Sequence, residues 1–459
     1  MPPDRFILPE MVTEKLHFLS MLCCKSTIYL FILSRHDKTF LAYLPAFCVD
    51  LPSYFTYNIN TERGIALMKD IKAIINSYLD QIVAYRRHIH QNPELSHEEA
   101  QTAAFIAQAL QKMGLEPVTG VGGNGVTAVI DGARPGKCVG LRADFDALPI
   151  QETTGLPFAS QNAGVSHSCG HDMHTAMLLG AAHVLLSLRD EFSGCVKLVF
   201  QPAEEDVLNC GAAPMIRDGV LENPRVDAMI GQHVWPQYPV GTAAVRNGAM
   251  MASSDRFHIT VHGKSSHGSA PEDGVDAVVI AAQVITALQT IVSRKVSPRD
   301  AAVVSIGTIH GGDRYNVIAN QVKLEGTCRN LNPEVRNKMP ERITQLAKGV
   351  AESMGGSCDV EYFKGYSPTV NNPEMFELVH GVMKEVVGSG AYVPEMSALG
   401  GEDFSFYGEK VPSVFFWLGV QTPGQPFFPI HNGSFSPDEN ALPVGIEIAV
   451  RSALAFLAK

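Results

Sequence analysis

Two hydrophobic periods alternate along the chain from Met68 onward. Ile71, Ile74, Ile75, Tyr78, Leu79, Ile82 and Tyr85 recur at helical spacing, which predicts a helix over 69–90 that Asn92-Pro93 stops. Ser96-His97-Glu98-Glu99 has the form of a capping box and opens a second predicted helix, which runs to Lys112 and ends at Gly114. Short apolar runs predict strands over 126–130, 138–144, 196–200 and 226–231. Between the second and third of these, Met177, Leu178, Ala181, Ala182 and Leu185 mark a helix over 172–189.

From 252 to 366 the rhythm changes. Strand patterns at 256–262, 302–309, 321–328 and 358–363 alternate with helical patterns at 275–292 and 333–354. The order β-α-β-β-α-β is that of a ferredoxin-like unit, and its size suits an inserted domain. The α/β pattern resumes with a helix after Asn371, an apolar strand over 414–418 and a closing helix over 443–457. The expected fold class is therefore α/β. A catalytic domain with a mixed sheet and flanking helices is expected in two stretches, 68–251 and 367–459, with a ferredoxin-like satellite domain over 252–366 between them.

Residues 1–67 show no sustained period. Their apolar pieces, 18–24 and 28–33, are broken by Lys25 and then by Arg35, Asp37 and Lys38. Both fall short of the roughly 20 apolar residues that span a bilayer, and neither has the flanks of a signal peptide. We expect this segment to be upstream sequence translated in frame, with the working protein beginning at Met68. Glu62-Arg63-Gly64, which a purine-rich ribosome-binding run can encode, precedes that methionine; a genuine but poorly ordered extension is the alternative.

Composition narrows the function classes. With 459 residues, 46% hydrophobic and 18% charged, the chain suits a soluble protein of two or three domains. Its net charge of -11 argues against a nucleic-acid partner, which needs a basic face. No membrane partner is expected. Nine scattered cysteines do not form a disulfide framework and suit a reducing, cytoplasmic setting.

The candidate chemistry starts at Ser168-Cys169-Gly170-His171-Asp172-Met173-His174, where a turn-rich loop meets an apolar helix. Cys169 and His171, with a glycine between them, can turn toward one point. The plainer reading is a buried cysteine and satisfied core histidines. Three other segments also end in possible ligands: Glu204-Glu205 after one strand, His233 after another, and His431 in Pro429-Ile430-His431. Cys169, His171, Glu205, His233 and His431 would offer sulfur, nitrogen and oxygen to one or two borderline divalent ions such as zinc or manganese. Such an ion polarises a carbonyl and acidifies bound water. Glu204 is then placed to take the proton and return it to a leaving amine. A hydrolase using Cys169 as nucleophile is a separate possibility, and a catalytically silent metal-binding or ligand-binding protein another.

The runs Leu141-Arg142-Ala143-Asp144-Phe145-Asp146-Ala147-Leu148-Pro149, 169–174, Gln201-Pro202-Ala203-Glu204-Glu205, Gly231-Gln232-His233 and Gly401-Glu402-Asp403-Phe404 together resemble the M20 metallopeptidase family. They are most similar to its amidohydrolase branch of hippurate hydrolases, N-acyl-amino-acid amidohydrolases and indole-acetyl-amino-acid hydrolases. The resemblance implies a zinc-peptidase-like catalytic domain, a smaller dimerisation domain and two divalent ions, Mn2+ or Zn2+, per subunit. It implies Cys169, His171, Glu205, His233 and His431 as ligands and Glu204 as general base. Asp144 and Asp146 enter as supporting residues, and His174 as either a support or a satisfied core histidine. His267 matches the satellite-domain histidine, which in the family can come from the partner of a homodimer to complete an oxyanion site. Asn316 and Arg329 are candidates for holding the substrate's carboxylate; a surface loop for His267 and a solvated or salt-bridged Arg329 are the plainer readings. The activity implied is hydrolysis of N-acyl amino acids, with a dipeptidase or aminopeptidase as the alternative.

The chain departs from the family's pattern in three places. Asp206-Val207-Leu208-Asn209-Cys210-Gly211 stands where glycines usually follow the paired glutamates. Ser265-Ser266-His267-Gly268-Ser269 replaces Gly-Gly-His-Ala-Ala, and Asn432-Gly433 replaces Ser-Pro after His431. None removes a ligand, so they bear on the substrate and not on the chemistry.

Overall fold

The structure is a computed structural model describing residues 19–24, 27–32, 40–42 and 62–459. Strands Leu19–Cys24, Thr27–Ile32 and Phe40–Ala42 form an antiparallel sheet within a unit of their own, Met1–Ile65. The expectation of an upstream segment over 1–67 falls mostly outside the described residues.

In the second unit, an eight-stranded mixed sheet is organised around four parallel strands, Arg134–Asp144, Ser193–Gln201, Ala228–Pro239 and Ser413–Gln421. Their buried stretches are covered on both faces, which is why they read as continuous apolar runs and not as alternating ones. Gly125–Asp131 and Val118–Val121 extend one side antiparallel. Helices Glu62–Gln91, Ala100–Lys112, His171–Ser187 and Ala441–Leu457 share one core with the sheet through Ile82, Ile106, Met177, Leu185 and Ile446. A second cluster, with Met215, Met250, Phe404, Phe415 and Trp417, forms a separate core. Parallel strands bring their carboxyl ends to one edge, where an open α/β sheet binds ligands. Asp144 lies opposite Gln201 there, Arg142 opposite Gly231, and His233 opposite Trp417.

Residues 254–366 build a four-stranded antiparallel sheet in the order Ala302–Gly311, Gln321–Asn330, Ser254–His262, Ser357–Tyr366. With helices Ala277–Thr290 and Pro333–Ser353 between strands, this is the ferredoxin-like arrangement. Phe257, Ile259, Ile280, Val284, Leu324 and Ile343 form its core. Ala277–Lys295 is long and apolar enough to cross a membrane by length and composition. Its buried Ile280, Ala281, Val284 and Leu288 are the face that packs on this sheet.

Two local expectations are corrected. Ser96 does not cap the second helix, which begins at Ala100 after Glu99 with no side-chain cap. Instead Glu94 accepts the N–H groups of Gln101 and Thr102, while Ser96 Oγ donates to Asp146 Oδ2 at 2.7 Å. A hydrogen bond to a buried carboxylate outweighs an exposed capping bond. The strand expected over 226–231 starts at Ala228 and continues to Pro239, because its later residues pair with the neighbouring Ser413–Gln421 strand.

A buried ion pair ties the satellite domain's first strand to its second helix and its last strand. Asp255 accepts from Arg336 Nε and Nη2 at 3.1 and 2.8 Å, from Tyr362 Oη at 2.9 Å and from Gly365 N at 3.1 Å. Removing one partner strands a buried charge, so Asp255→Ala should lose about 3–5 kcal/mol in urea unfolding. A loss below about 1 kcal/mol would show that water reaches Arg336 and that the pair is not a buried anchor.

Candidate active site

Gly170 has φ 90°, and a Cβ there would lie 2.4 Å from Val234 Cγ2. Only glycine fits this left-handed, crowded position, which turns Cys169 and His171 toward the same point as the His171–Ser187 helix begins. Glu204 and Glu205 follow the Ser193–Gln201 strand through Ala203, at φ 52°. The Ala203 N–H donates to the buried Glu99 carboxylate at 2.8 Å, which holds that strained turn. His431, at φ 61°, is held by its N–H bond to Ser168 O at 2.8 Å.

The five expected ligand residues converge. Cys169 Sγ lies 3.3 Å from His233 Nε2, and Glu205 Oε1 lies 3.3 Å from His431 Nε2 and 3.9 Å from His171 Nε2. The donor atoms of Cys169, His171 and His233 lie within 4.8 Å of one another, as do those of Cys169, Glu205 and His431, and those of His171, Glu204 and Glu205. His171 Nε2 and Glu205 Oε1 are buried without a hydrogen-bond partner. Such atoms normally find one, and here they face each other among sulfur, nitrogen and oxygen donors. The set fits borderline divalent ions.

Neighbouring groups aim these ligands. His171 Nδ1 donates to Asp146 at 3.0 Å to its carbonyl and 3.1 Å to Oδ1, leaving Nε2 for the site. Asp146 Oδ2 accepts the Glu205 N–H at 2.9 Å, so one carboxylate orients two ligand residues. His233 Nδ1 donates to Val234 O at 2.7 Å. His174 has both nitrogens engaged: Nδ1 with Asp144 Oδ1 at 2.5 Å, and Nε2 accepting the Val234 N–H at 2.9 Å. It positions Asp144 and has no free lone pair for a metal.

Arg142, Glu402 and Asp403 were not among the expected site residues, yet the site is built around them. Buried Arg142 donates to Gln201 Oε1 at 3.0 Å, Asp144 Oδ2 at 2.6 Å and Asp403 Oδ1 at 2.7 Å, and lies 2.9 Å from Glu402 Oε1. The carboxylates of Glu204, Glu402 and Asp403 lie within 4.8 Å of one another. The available signal was an arginine in an apolar strand, since a buried charge has to be paired, together with the acidic pair after Gly401.

Burial, then Glu402 and Glu205, hold the Glu204 carboxyl well above the usual range. Burial and its acidic neighbours lift Glu402 to about 8 and Asp403 to about 6 against the pull of Arg142. Burial opposes charge on His171, but Asp144 and Asp146 lift it to about 10. The pocket thus draws positive charge onto an imidazole, the place a metal ion would take. Burial, then Glu205 and Glu204, push the Cys169 thiol well above its ordinary value. That favours the neutral thiol unless a cation stands beside it to lower its pKa.

The satellite residues divide. Arg329 is half-buried, and a Cβ on Gly401 would lie 3.6 Å from its Nη1. It lines a cavity of about 490 Å³ with Val207 and Leu208, and has no ion-pair partner among the described residues. His267 is exposed and bonds Ser269 Oγ at 2.7 Å. Its bridge to Val317 and the Gly268 N–H bond to Asn316 O at 2.8 Å place His267 and Asn316 together. The described contacts of His267 and Asn316 do not reach Glu204 within this chain.

Residues 140–455 match peptidase family M20/M25/M40. Thermostable carboxypeptidase 2 of Saccharolobus solfataricus is 40% identical over 382 residues, covering 83% of this chain and 96% of that protein. N-acetyl-L-cysteine deacetylase of Bacillus subtilis is 40% identical over 364 residues, covering 79% of this chain and 85% of that protein. The crystal structure of Bacillus subtilis YXEP protein, a dinuclear metal-binding peptidase, superimposes with a TM-score of 0.73 at 35% identity, covering 83% of this chain and 99% of the other.

Cys169→Ser and His233→Ala should each lower bound metal, measured by elemental analysis after gel filtration. Glu204→Gln should keep its metal while turnover falls by about 10² to 10⁴. Equal metal loss in Glu204→Gln and Cys169→Ser would show that Glu204, and not its neighbour, is the ligand.

Proposed function

Because the chain belongs to peptidase family M20/M25/M40, whose members are enzymes that act on amide bonds, we propose that it hydrolyses N-acyl amino acids to a carboxylate and a free amino acid. The observation that carries this reading is the pairing of a buried, high-pKa Glu204 with the convergent donors of Cys169, His171, Glu205, His233 and His431. These donors would hold a pair of divalent ions, zinc or manganese, which when bound polarise an amide carbonyl and make water acidic. Glu204 takes a proton from the attacking water and delivers it to the leaving nitrogen. A carboxyl group lifted by burial and acidic neighbours is suited to both halves of that transfer. Arg329, beside Gly401 and without an ion-pair partner among the described residues, grips the carboxylate of the amino-acid portion with Asn316. The relative named as a carboxypeptidase supports a second reading, cleavage of peptides by the same steps.

The enzyme works as a homodimer in this reading. Ala302–Gly311 is an edge strand with exposed Ile309, and Val278 and Val279 leave an apolar face on the neighbouring helix. Covering that edge with a second copy offers a route for His267 and Asn316 to reach the partner's Glu204. The free thiols Cys138, Cys169, Cys195, Cys210, Cys328 and Cys358 suit a reducing, cytoplasmic setting.

A panel of N-acetyl, N-benzoyl and indole-acetyl amino acids beside dipeptides, assayed with manganese or zinc, tests the substrate class. Turnover should be highest on the acyl amino acids, and faster cleavage of dipeptides would favour the peptidase reading. For the shared site, His267→Ala should lower turnover with metal retained, and mixing it with Glu204→Gln should restore part of the activity. Confirmed subunit exchange with no recovery would place His267 outside the partner's site.

A further inference from the structure

The chain has two tryptophans, and they stack on each other beside the site. Trp235 follows His233 on the same face of its strand, with the rings edge to face at 5.8 Å and 80°. Trp417, on the adjacent parallel strand, lies flat against Trp235 at 4.4 Å and 7°. Tyr238 flanks Trp417 at 6.4 Å, so the stack is braced from the side. Trp417 is buried, and Trp235 is half-buried. A large aromatic ring is thus pinned on one face by Trp417 while keeping part of its surface accessible, next to an imidazole expected to hold metal.

A second observation points the same way. The segment leading into Glu402 is apolar and open, with Met396 80% exposed and Leu399 43% exposed. Ala398 pairs with Met251 and packs against the same cluster as Trp235. Apolar surface therefore flanks the site both beyond His233 and ahead of Glu402. A ring already immobilised by stacking loses little freedom when a ligand covers it, which favours flat apolar groups.

We propose that Trp235 is a specificity-determining residue that stacks on the acyl group of the substrate, so that the enzyme prefers aromatic acyl groups over acetyl. This rests on the reading of the chain as an N-acyl-amino-acid hydrolase. The amide carbonyl lies at the His233 end, the acyl group extends along Trp235, and the amino-acid carboxylate turns toward Arg329. The two ends of the substrate are thereby sorted by chemistry, apolar on the indole side and anionic on the guanidinium side.

The test compares kcat/KM for N-benzoyl and N-acetyl derivatives of one amino acid. In Trp235→Ala the benzoyl-to-acetyl ratio should fall about tenfold, the scale expected for losing an aromatic contact in a pocket, and Trp235→Phe should recover most of it. An unchanged ratio with metal content retained overturns the proposal. A second measurement uses Glu204→Gln, which binds without turnover. Because both tryptophans lie in the stack, N-benzoyl amino acid should change the intrinsic fluorescence saturably, and more than its N-acetyl counterpart does. No such change at saturating concentration overturns the proposal even if the Trp235 variants do not fold. Failure of the unaltered enzyme to cleave either derivative would overturn the underlying substrate reading instead.

Discussion

Too much negative charge is buried at one edge of the sheet for the protein's own cations to balance. Arg142 reaches Asp144, Glu402 and Asp403, while Asp146, Glu204 and Glu205 crowd the same space. Burying carboxylates without compensation is costly. Without a metal the compensation comes from protons, on Glu204, on Glu402 and on His171. Divalent ions held by these residues would relieve the same imbalance and, in the proposed reaction, leave Glu204 able to accept a proton. The convergent donors, the bonds that aim them and the raised Glu204 carboxyl therefore belong to one electrostatic arrangement.

That arrangement depends on the backbone. Parallel strands deliver Arg142, Asp144, Gln201 and His233 to one edge in register. Three residues at positive φ, Gly170, Ala203 and His431, lie at or beside the convergent donors, and each is held by packing or a backbone bond. Asp146 shows how closely the parts are tied. It fixes the His171 ring and the Glu205 backbone, and it is itself fixed by Ser96 from a separate loop.

Much of this was legible in the sequence for physical reasons. Buried parallel strands and apolar-faced helices carry strong periods, so the catalytic layers and the β-α-β-β-α-β order could be read directly. The convergence of donors was readable because Cys169, His171, Glu205 and His233 interrupt apolar runs with groups that can bind a metal. What escaped was pairing across long sequence distance. Arg142 and Asp403 are 261 positions apart, and only the folded sheet shows that they meet. Ser96 was misread because a local capping pattern and a distant buried carboxylate compete for the same hydroxyl. His174 could not be assigned from spacing alone, since a ligand and a support differ only in where the second nitrogen points.

Stripping the metal and restoring it tests the central claim most directly. Chelator-treated protein, dialysed against graded zinc or manganese, would be followed for bound ions per chain and for hydrolysis of an N-acyl amino acid. The metal-free protein should show no turnover, and activity should return as the site around His171 and Glu205 fills. Full activity without metal would contradict that claim, and would mean that the buried carboxylates serve some other chemistry.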